Sequence, residues 1–354
     1  MSKFFLVAAF CAGSLNLPAW DYEGHRMVNQ LALAALPAEF PAFVKTPAAR
    51  ERIAFLAGEA DRWRNTPEQP FRHFNGPDHY IDLEDLAPAG IDPKAMSHFR
   101  YEFTVQLGIA RAKHPEKFPP LDAARNADHT RELAGFLPWT ISEYYSKLKS
   151  AFSYLKTFED GGTPEEITNA QQNVIYVMGV MGHFVGDATQ PLHTTKHFNG
   201  WVGDNPQGYT TSRLFHAWID GGFLHRAGLQ LQDLSAQSRP AKALGFASDG
   251  RSRQEEVFPR VMEFILEQFK QVEPLYALDK QRKLSRDGEI DAQGREFITR
   301  QLTEGGQMLG DLWLTAWKQA PPDTFLKAQL AKRKLAAEKP AGEAKGDSKV
   351  KGPE

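Results

Sequence analysis

Apolar positions recur at three- and four-residue spacing along most of the chain, the pattern of helices that bury one face. It predicts helices over Tyr22–Leu36, Pro47–Arg64, Pro93–Lys113, Pro138–Glu159, Pro164–Asp187, Ser212–Ala227, Gln254–Val272 and Ala292–Gln319. Several begin at or beside a proline, whose fixed φ suits a first helical turn and whose missing N–H is no loss there. Strict alternation is scarce. The best run, His79-Tyr80-Ile81-Asp82-Leu83-Glu84, would make a small ribbon but no sheet core. The expectation is an all-α fold, a single large multi-helix domain over 20–320, without internal repeats. From Lys327 onward Lys, Ala, Glu and Gly dominate, and large apolar residues almost vanish after Leu335. Residues 321–354 are therefore expected to be a Lys/Ala-rich, disordered tail.

The start of the chain bears on compartment. Lys3 precedes the apolar run Phe4–Phe10, and small residues lead to Leu17-Pro18-Ala19. A basic start, an apolar stretch too short to span a bilayer and a closing alanine predict a signal peptide over 1–19, cleaved before Trp20. The expected destination is secreted or periplasmic. A buried first helix is the competing reading, and Pro18 and the lone Lys3 fit export better. No other apolar run reaches the ~18 residues of a membrane helix, so no membrane span is expected. The single cysteine, Cys11, falls inside the leader, leaving the processed chain without a disulfide or thiolate ligand.

Charge is uneven. Residues 325–354 hold eight Lys/Arg against four Asp/Glu, whereas 20–324 hold 33 basic and 40 acidic residues, a net of −7. A body that gripped nucleic acid by phosphate neutralisation alone would be basic. If the substrate is a phosphodiester, bound cations must attract it.

Two motifs have spacings suited to holding such cations. In Met181-Gly182-His183-Phe184-Val185-Gly186-Asp187-Ala188-Thr189-Gln190-Pro191-Leu192-His193, His183 and Asp187 lie four apart in a helical run, so both project from one face. Pro191 ends the helix, and His193 follows in the turn. In Phe215-His216-Ala217-Trp218-Ile219-Asp220 the same histidine–aspartate spacing recurs. Imidazole and carboxylate without thiolate suit zinc in an open, catalytic site. A lone His or Asp on an apolar helix is more often a hydrogen-bonded core residue. Two such pairs plus His193 within forty residues favour metal.

These residues, with three further segments, resemble the three-zinc secreted nucleases of the S-one/P-one type, which share a superfamily with zinc-dependent phospholipases C. The further segments are Trp20-Asp21-Tyr22-Glu23-Gly24-His25, Ala60-Asp61-Arg62-Trp63-Arg64 and His79-Tyr80-Ile81-Asp82. Gln301 to Trp317, with Gly305-Gly306 and Leu309, is similar to the closing helix of that family. The resemblance covers most of 20–318 and implies the phospholipase C/nuclease type of fold, with a zinc cluster in a cleft between helices. It implies three Zn2+ ions. One would be held by Asp61, His79, His183 and Asp187; a second by Trp20 and His25, with Asp187 as bridge; a third by His193, His216 and Asp220. Cleavage after Ala19 would free the Trp20 α-amine, whose reference pKa near 8 lets zinc take its neutral form. Asp61 and Arg64 would be catalytic, Arg64 steadying charge on phosphorus. Tyr80 and Asp82 would stack on and hydrogen-bond a base. The chain departs from the family in lacking its Gly-Gly-Asn loop after the central histidine and two disulfides of fungal members.

The implied function is a secreted endonuclease acting on single-stranded RNA or DNA. The alternatives are a phospholipase C, with a phospholipid head group as substrate, and a non-catalytic zinc-binding protein. No protein partner is inferred. His73, His98, His114, His129, His197 and His225 fit no ligand position, although His197 lies in a Gly/Asn/Pro-rich stretch beside the cluster, where Trp201 and Tyr209 could form a substrate rim.

Overall fold

A computed structural model describes residues 20–245 and 257–338. The expected signal peptide, 1–19, and the end of the tail, 339–354, lie outside the described residues. The helices are α1 (Tyr22–Ala35), α2 (Pro47–Leu56), α3 (Glu59–Arg64), α4 (Gln69–Asn75), α5 (Arg100–Lys113), α6 (Leu137–Gly161) and α7 (Pro164–Thr189). They continue with α8 (Phe215–Ala217), α9 (Phe223–Ala227), α10 (Leu231–Ser235), α11 (Phe258–Phe269), α12 (Val272–Lys280), α13 (Ala292–Gln319) and α14 (Thr324–Glu338). The fold is all-α: no strand occurs among the described residues. None of the described helices is long and apolar enough to cross a membrane.

The core forms where α1, α6, α7 and α13 pack on one another, with α2 laid across α1 and α7. Helix α7 is central, every residue from Met178 to Thr189 being buried. Helices that are apolar all round belong in such interiors. Its start is fixed by a capping box, in which Thr163 accepts from Glu166 N and Glu166 accepts from Thr163 N. Two glycines admit α1. A Cβ at Gly182 would overlap Asn29 Oδ1, and one at Gly186 would sit 2.6 Å from His25 Nδ1. Asn29 uses this closeness to bridge three helices, donating to Ile53 O at 2.8 Å and Gly179 O at 3.0 Å.

Several expected elements are corrected. The run Pro47–Arg64 breaks at Ala57-Gly58 into α2 and α3, glycine being a poor helix former, and the Tyr22 ring packs where a side chain at 58 would lie, 2.7 Å from its Cβ position. Residues 93–99 are turns, so α5 opens only at Arg100. The stretch Ser212–Ala227 contains a π-turn, Trp218–Gly222, between α8 and α9. The run Gln254–Val272 begins outside the described residues and holds α11, while α12 starts at its last residue and is not among the expected helices. The ribbon at 79–84 is absent. There Ile81 makes a single antiparallel bridge to Gly135, and the segment is shared between two neighbours, Asp82 N donating to Ala134 O and Ile81 N to His193 O.

The tail expectation fails for 324–338, which is helical. That segment is rich in Ala, Leu, Lys, Gln and Arg, strong helix formers that need no core to favour the helix. Asp323 Oδ1 accepts from Leu326 N in its first turn, and Arg333 forms a two-pronged pair with Glu166 at 2.7 and 3.0 Å.

Candidate metal centre

Five segments distant in sequence meet at the C-terminal end of α7. His183 and Asp187 project from one face of that helix, as their spacing predicts. Asp187 Oδ2 lies 3.0 Å from His79 Nδ1 and 3.4 Å from His183 Nε2, and these two nitrogens are 3.0 Å apart. Asp61 Oδ1 stands 3.8 Å from His183 Nε2. The other carboxylate oxygen, Asp187 Oδ1, is 3.5 Å from His25 Nε2. In the second motif His216 Nε2 is 3.0 Å from both His193 Nε2 and Asp220 Oδ2. Two atoms ~2.1 Å from one tetrahedral ion are about 3.4 Å apart, so these separations suit shared ions.

The atoms turned away from each cluster hold the rings in place. His183 Nδ1 meets the carbonyl of Ala57, left free where α2 ends, at 2.6 Å. His193 Nδ1 meets His79 O at 2.6 Å. Such contacts orient a ring and select its tautomer. Gln190, buried beside them, donates to Asp220 Oδ1 and accepts from Leu192 N. Trp20 is fully buried, its indole donating to Thr189 Oγ1 at 3.4 Å, and Asp21 N donates to Asp220 O at 3.2 Å.

Burial makes this an unusual place for bare charge. Asp187 and Asp220 are pushed well above the usual carboxylate range, by burial first. His25, His79 and His216 are held well below the ordinary imidazole value, again by burial first. Burial and then Arg64 bring His193 down to about 3. Neutral imidazole is the ligating form. His25 Nδ1 and Nε2, Asp187 Oδ1 and Asp220 Oδ2 are all buried without a hydrogen-bond partner. Buried polar atoms seldom go unpaired, and here most of them point into the clusters. The donor set fits metal ions: the groups His79/His183/Asp187, His25/Asp61/His183 and His193/His216/Asp220 each place ligand atoms within 4.8 Å of one another.

A cavity of about 280 Å³ opens beside the centre, with His193 and His216 in its wall. Arg64 lines it too, its Nε 2.7 Å from Asp61 Oδ1. Tyr80 and Asp82 also face it, and burial raises both above their ordinary values, Asp85 and Glu84 adding to the effect on Asp82. Asp82 Oδ1 has no hydrogen-bond partner. The eight histidines and aspartates expected as ligands thus gather in adjoining groups, with Arg64, Tyr80 and Asp82 on the cavity beside them.

The sequence reading missed Arg72, Asp85 and Arg131, which share the cavity wall, because they lie on α4 and on loops where no periodicity marks them. It also passed over Gln190, whose place inside the quoted motif was the available signal. His197 stacks on Trp201 at 3.9 Å and accepts from Val202 N, and Trp201 packs on Tyr209 and Tyr276. This group holds the loop together. Trp201 and Tyr209 do not line the cavity, whereas their neighbours Phe198 and Asn199 do. No protein-family model, curated protein or solved structure matches this chain.

Proposed function

We propose that the chain is a secreted, zinc-dependent phosphodiesterase of the three-zinc nuclease type, acting on single-stranded RNA or DNA. One observation carries the reading: Asp187 directs one oxygen to His79 and His183 and the other to His25, in a buried site that opens on a cavity. A closed structural site would need no such opening. Zinc is favoured over harder ions because five imidazoles accompany the carboxylates. Asp61, His79, His183 and Asp187 would hold one ion, Trp20 and His25 with Asp187 a second, and His193, His216 and Asp220 a third. Ions held there would supply Lewis acidity and a water acidified toward neutral pH.

The chain's own residues do the rest. Arg64 holds a guanidinium on the cavity wall, steadied by Asp61, where it can neutralise a phosphodiester oxygen. Tyr80 presents a ring and Asp82 an unpaired carboxyl oxygen at the same wall, suited to stack on and hydrogen-bond one base. The net −7 of residues 20–324 is then offset by the ions, which answers how an acidic body draws a polyanion.

The test is elemental analysis of chain beginning at Trp20, joined to side-by-side assays on single-stranded RNA, duplex DNA and phosphatidylcholine. About three zinc ions and turnover of single strands are expected, abolished by chelator. Lipid cleavage without nucleic-acid turnover would move the reading to a phospholipase C. Metal without any hydrolysis would leave a zinc-binding protein.

A further inference from the structure

The residue after Trp20 is tied down on every side. Asp21 Oδ1 accepts from Gly24 N at 3.1 Å and so caps α1, while its carbonyl accepts from His25 N at 3.2 Å. Its own N–H donates to Asp220 O at 3.2 Å, across to the π-turn. Its second carboxylate oxygen, Oδ2, is paired with His225 Nε2 on α9, the short helix that follows the π-turn. Gly221 makes room for this arrangement, since a Cβ there would lie 2.8 Å from Asp21 Oδ2. A π-turn is a rare conformation that clusters at functional sites. Here it turns the Asp220 side chain toward His216 and the Asp220 carbonyl toward Asp21.

A helix cap requires only the Oδ1 contact. It leaves the His225 pair, the Gly221 clearance and the link to Asp220 unexplained. Terminal residues fray unless tied down, and a ligand must be held within about 0.5 Å of its productive place. We propose that Asp21 and His225 are positioning residues that clamp the Trp20–Asp21 peptide to the π-turn and so present the amino-terminal residue to the metal cluster. This rests on the reading of Trp20 as a ligand. The clamp joins the amino-terminal ion to the one held by His193, His216 and Asp220, because both depend on the same five-residue turn.

Two substitutions isolate the clamp from folding. Asp21→Asn keeps a good cap for α1 but removes the charge facing His225. His225→Ala removes a side chain that is 62% exposed, where a purely structural role would change little. Chains cleaved before Trp20 are compared with a chain that retains one methionine ahead of it. Zinc content is read by elemental analysis, affinity by competition with a chromogenic chelator, and folding by thermal unfolding of the zinc-free proteins. Three ions are expected in the unsubstituted chain and two in the methionine-extended one. Both substitutions should weaken the ion that the methionine extension releases about 10–100-fold, the usual effect of losing a group that orients a ligand, without lowering the zinc-free unfolding midpoint. If both bind all their zinc with unaltered affinity while methionine extension still releases one ion, the clamp is wrong and the cluster reading stands. Equal weakening of every ion, together with a lowered zinc-free midpoint, would show a general structural role and overturn the clamp. If the methionine-extended chain holds as much zinc as the processed one, the amino-terminal ligand fails and the clamp with it.

Discussion

The two histidine–aspartate pairs share a four-residue spacing but are held by different means. His183 and Asp187 lie in the regular last turns of α7, with the glycines at 182 and 186 letting α1 press against them. Their backbone would form a helix whatever the pair bound. His216 and Asp220 straddle the junction of α8 with a π-turn, and Asp220 is steadied by Gln190 and by its carbonyl bond from Asp21. The first pair is built into a helix that the core demands. The second depends on contacts from other segments, so equal spacing does not mean equal rigidity.

The largest test of that contrast removes the charge from each pair in turn. Asp187→Asn should release at least two ions, because its two oxygens face different groups, and activity should fall about 10³-fold. Asp220→Asn should release one ion and cost less, about 10²-fold. Zinc content and initial rates on single-stranded RNA check both, and equal losses would break the bridging role given to Asp187.

A smaller effect probes the close approach behind the first pair. Gly182→Ala forces a methyl into Asn29 Oδ1 and should destabilise the fold by about 1–3 kcal/mol, the usual cost of overpacking. Denaturant unfolding measures it. An unchanged midpoint would mean that α1 and α7 tolerate a wider gap than they show.

Next comes the partner that only the second pair has. Gln190→Ala removes a buried donor to Asp220 Oδ1 and should weaken one ion about 10-fold, leaving those at His183 and Asp187 in place. Zinc competition titrations resolve this, and uniform weakening would argue against separate support for the two pairs.

The smallest effect belongs to α14, which buries no residue and marks the outer limit of the comparison. Arg333 and then the Thr163 N–H hold the Glu166 carboxyl down at about 2, below its ordinary 4.5. A depressed acid contributes stability that is present above its unfolded pKa and lost as pH falls through the folded one. Arg333→Ala should therefore lower the thermal midpoint slightly at pH 6, and the difference should vanish as pH drops from about 4.5 toward 2. A difference that persists at pH 2 would assign the contact to packing.

Much of the site was legible because its signals are local. An i, i+4 pair shares a helix face wherever the helix forms, so His183/Asp187 and His216/Asp220 could be read from spacing alone. Trp20, His25, Asp61 and His79 carried no such periodicity, and only resemblance to a family pointed to them. Asp85, Arg72 and Arg131 left no trace, since their nearness to the cavity depends on how α4 and two loops fold back. The tail was misread for a related reason. Low apolar content argues against a core, but a surface helix of good helix formers needs none.

What the sequence determined by itself is the all-helical architecture, the central apolar helix and the chemistry of the donors, because periodicity and side-chain type are properties of short stretches. Tertiary structure alone decided where helices break and which atoms meet. The Ala57 carbonyl at the end of α2 meets His183, the Tyr22 ring packs on Gly58, and a π-turn aims Asp220 at His216 while its carbonyl reaches Asp21. The bonds from His183 to Ala57 and from Asp21 to Asp220 join segments more than a hundred residues apart, and no local pattern encodes such approaches.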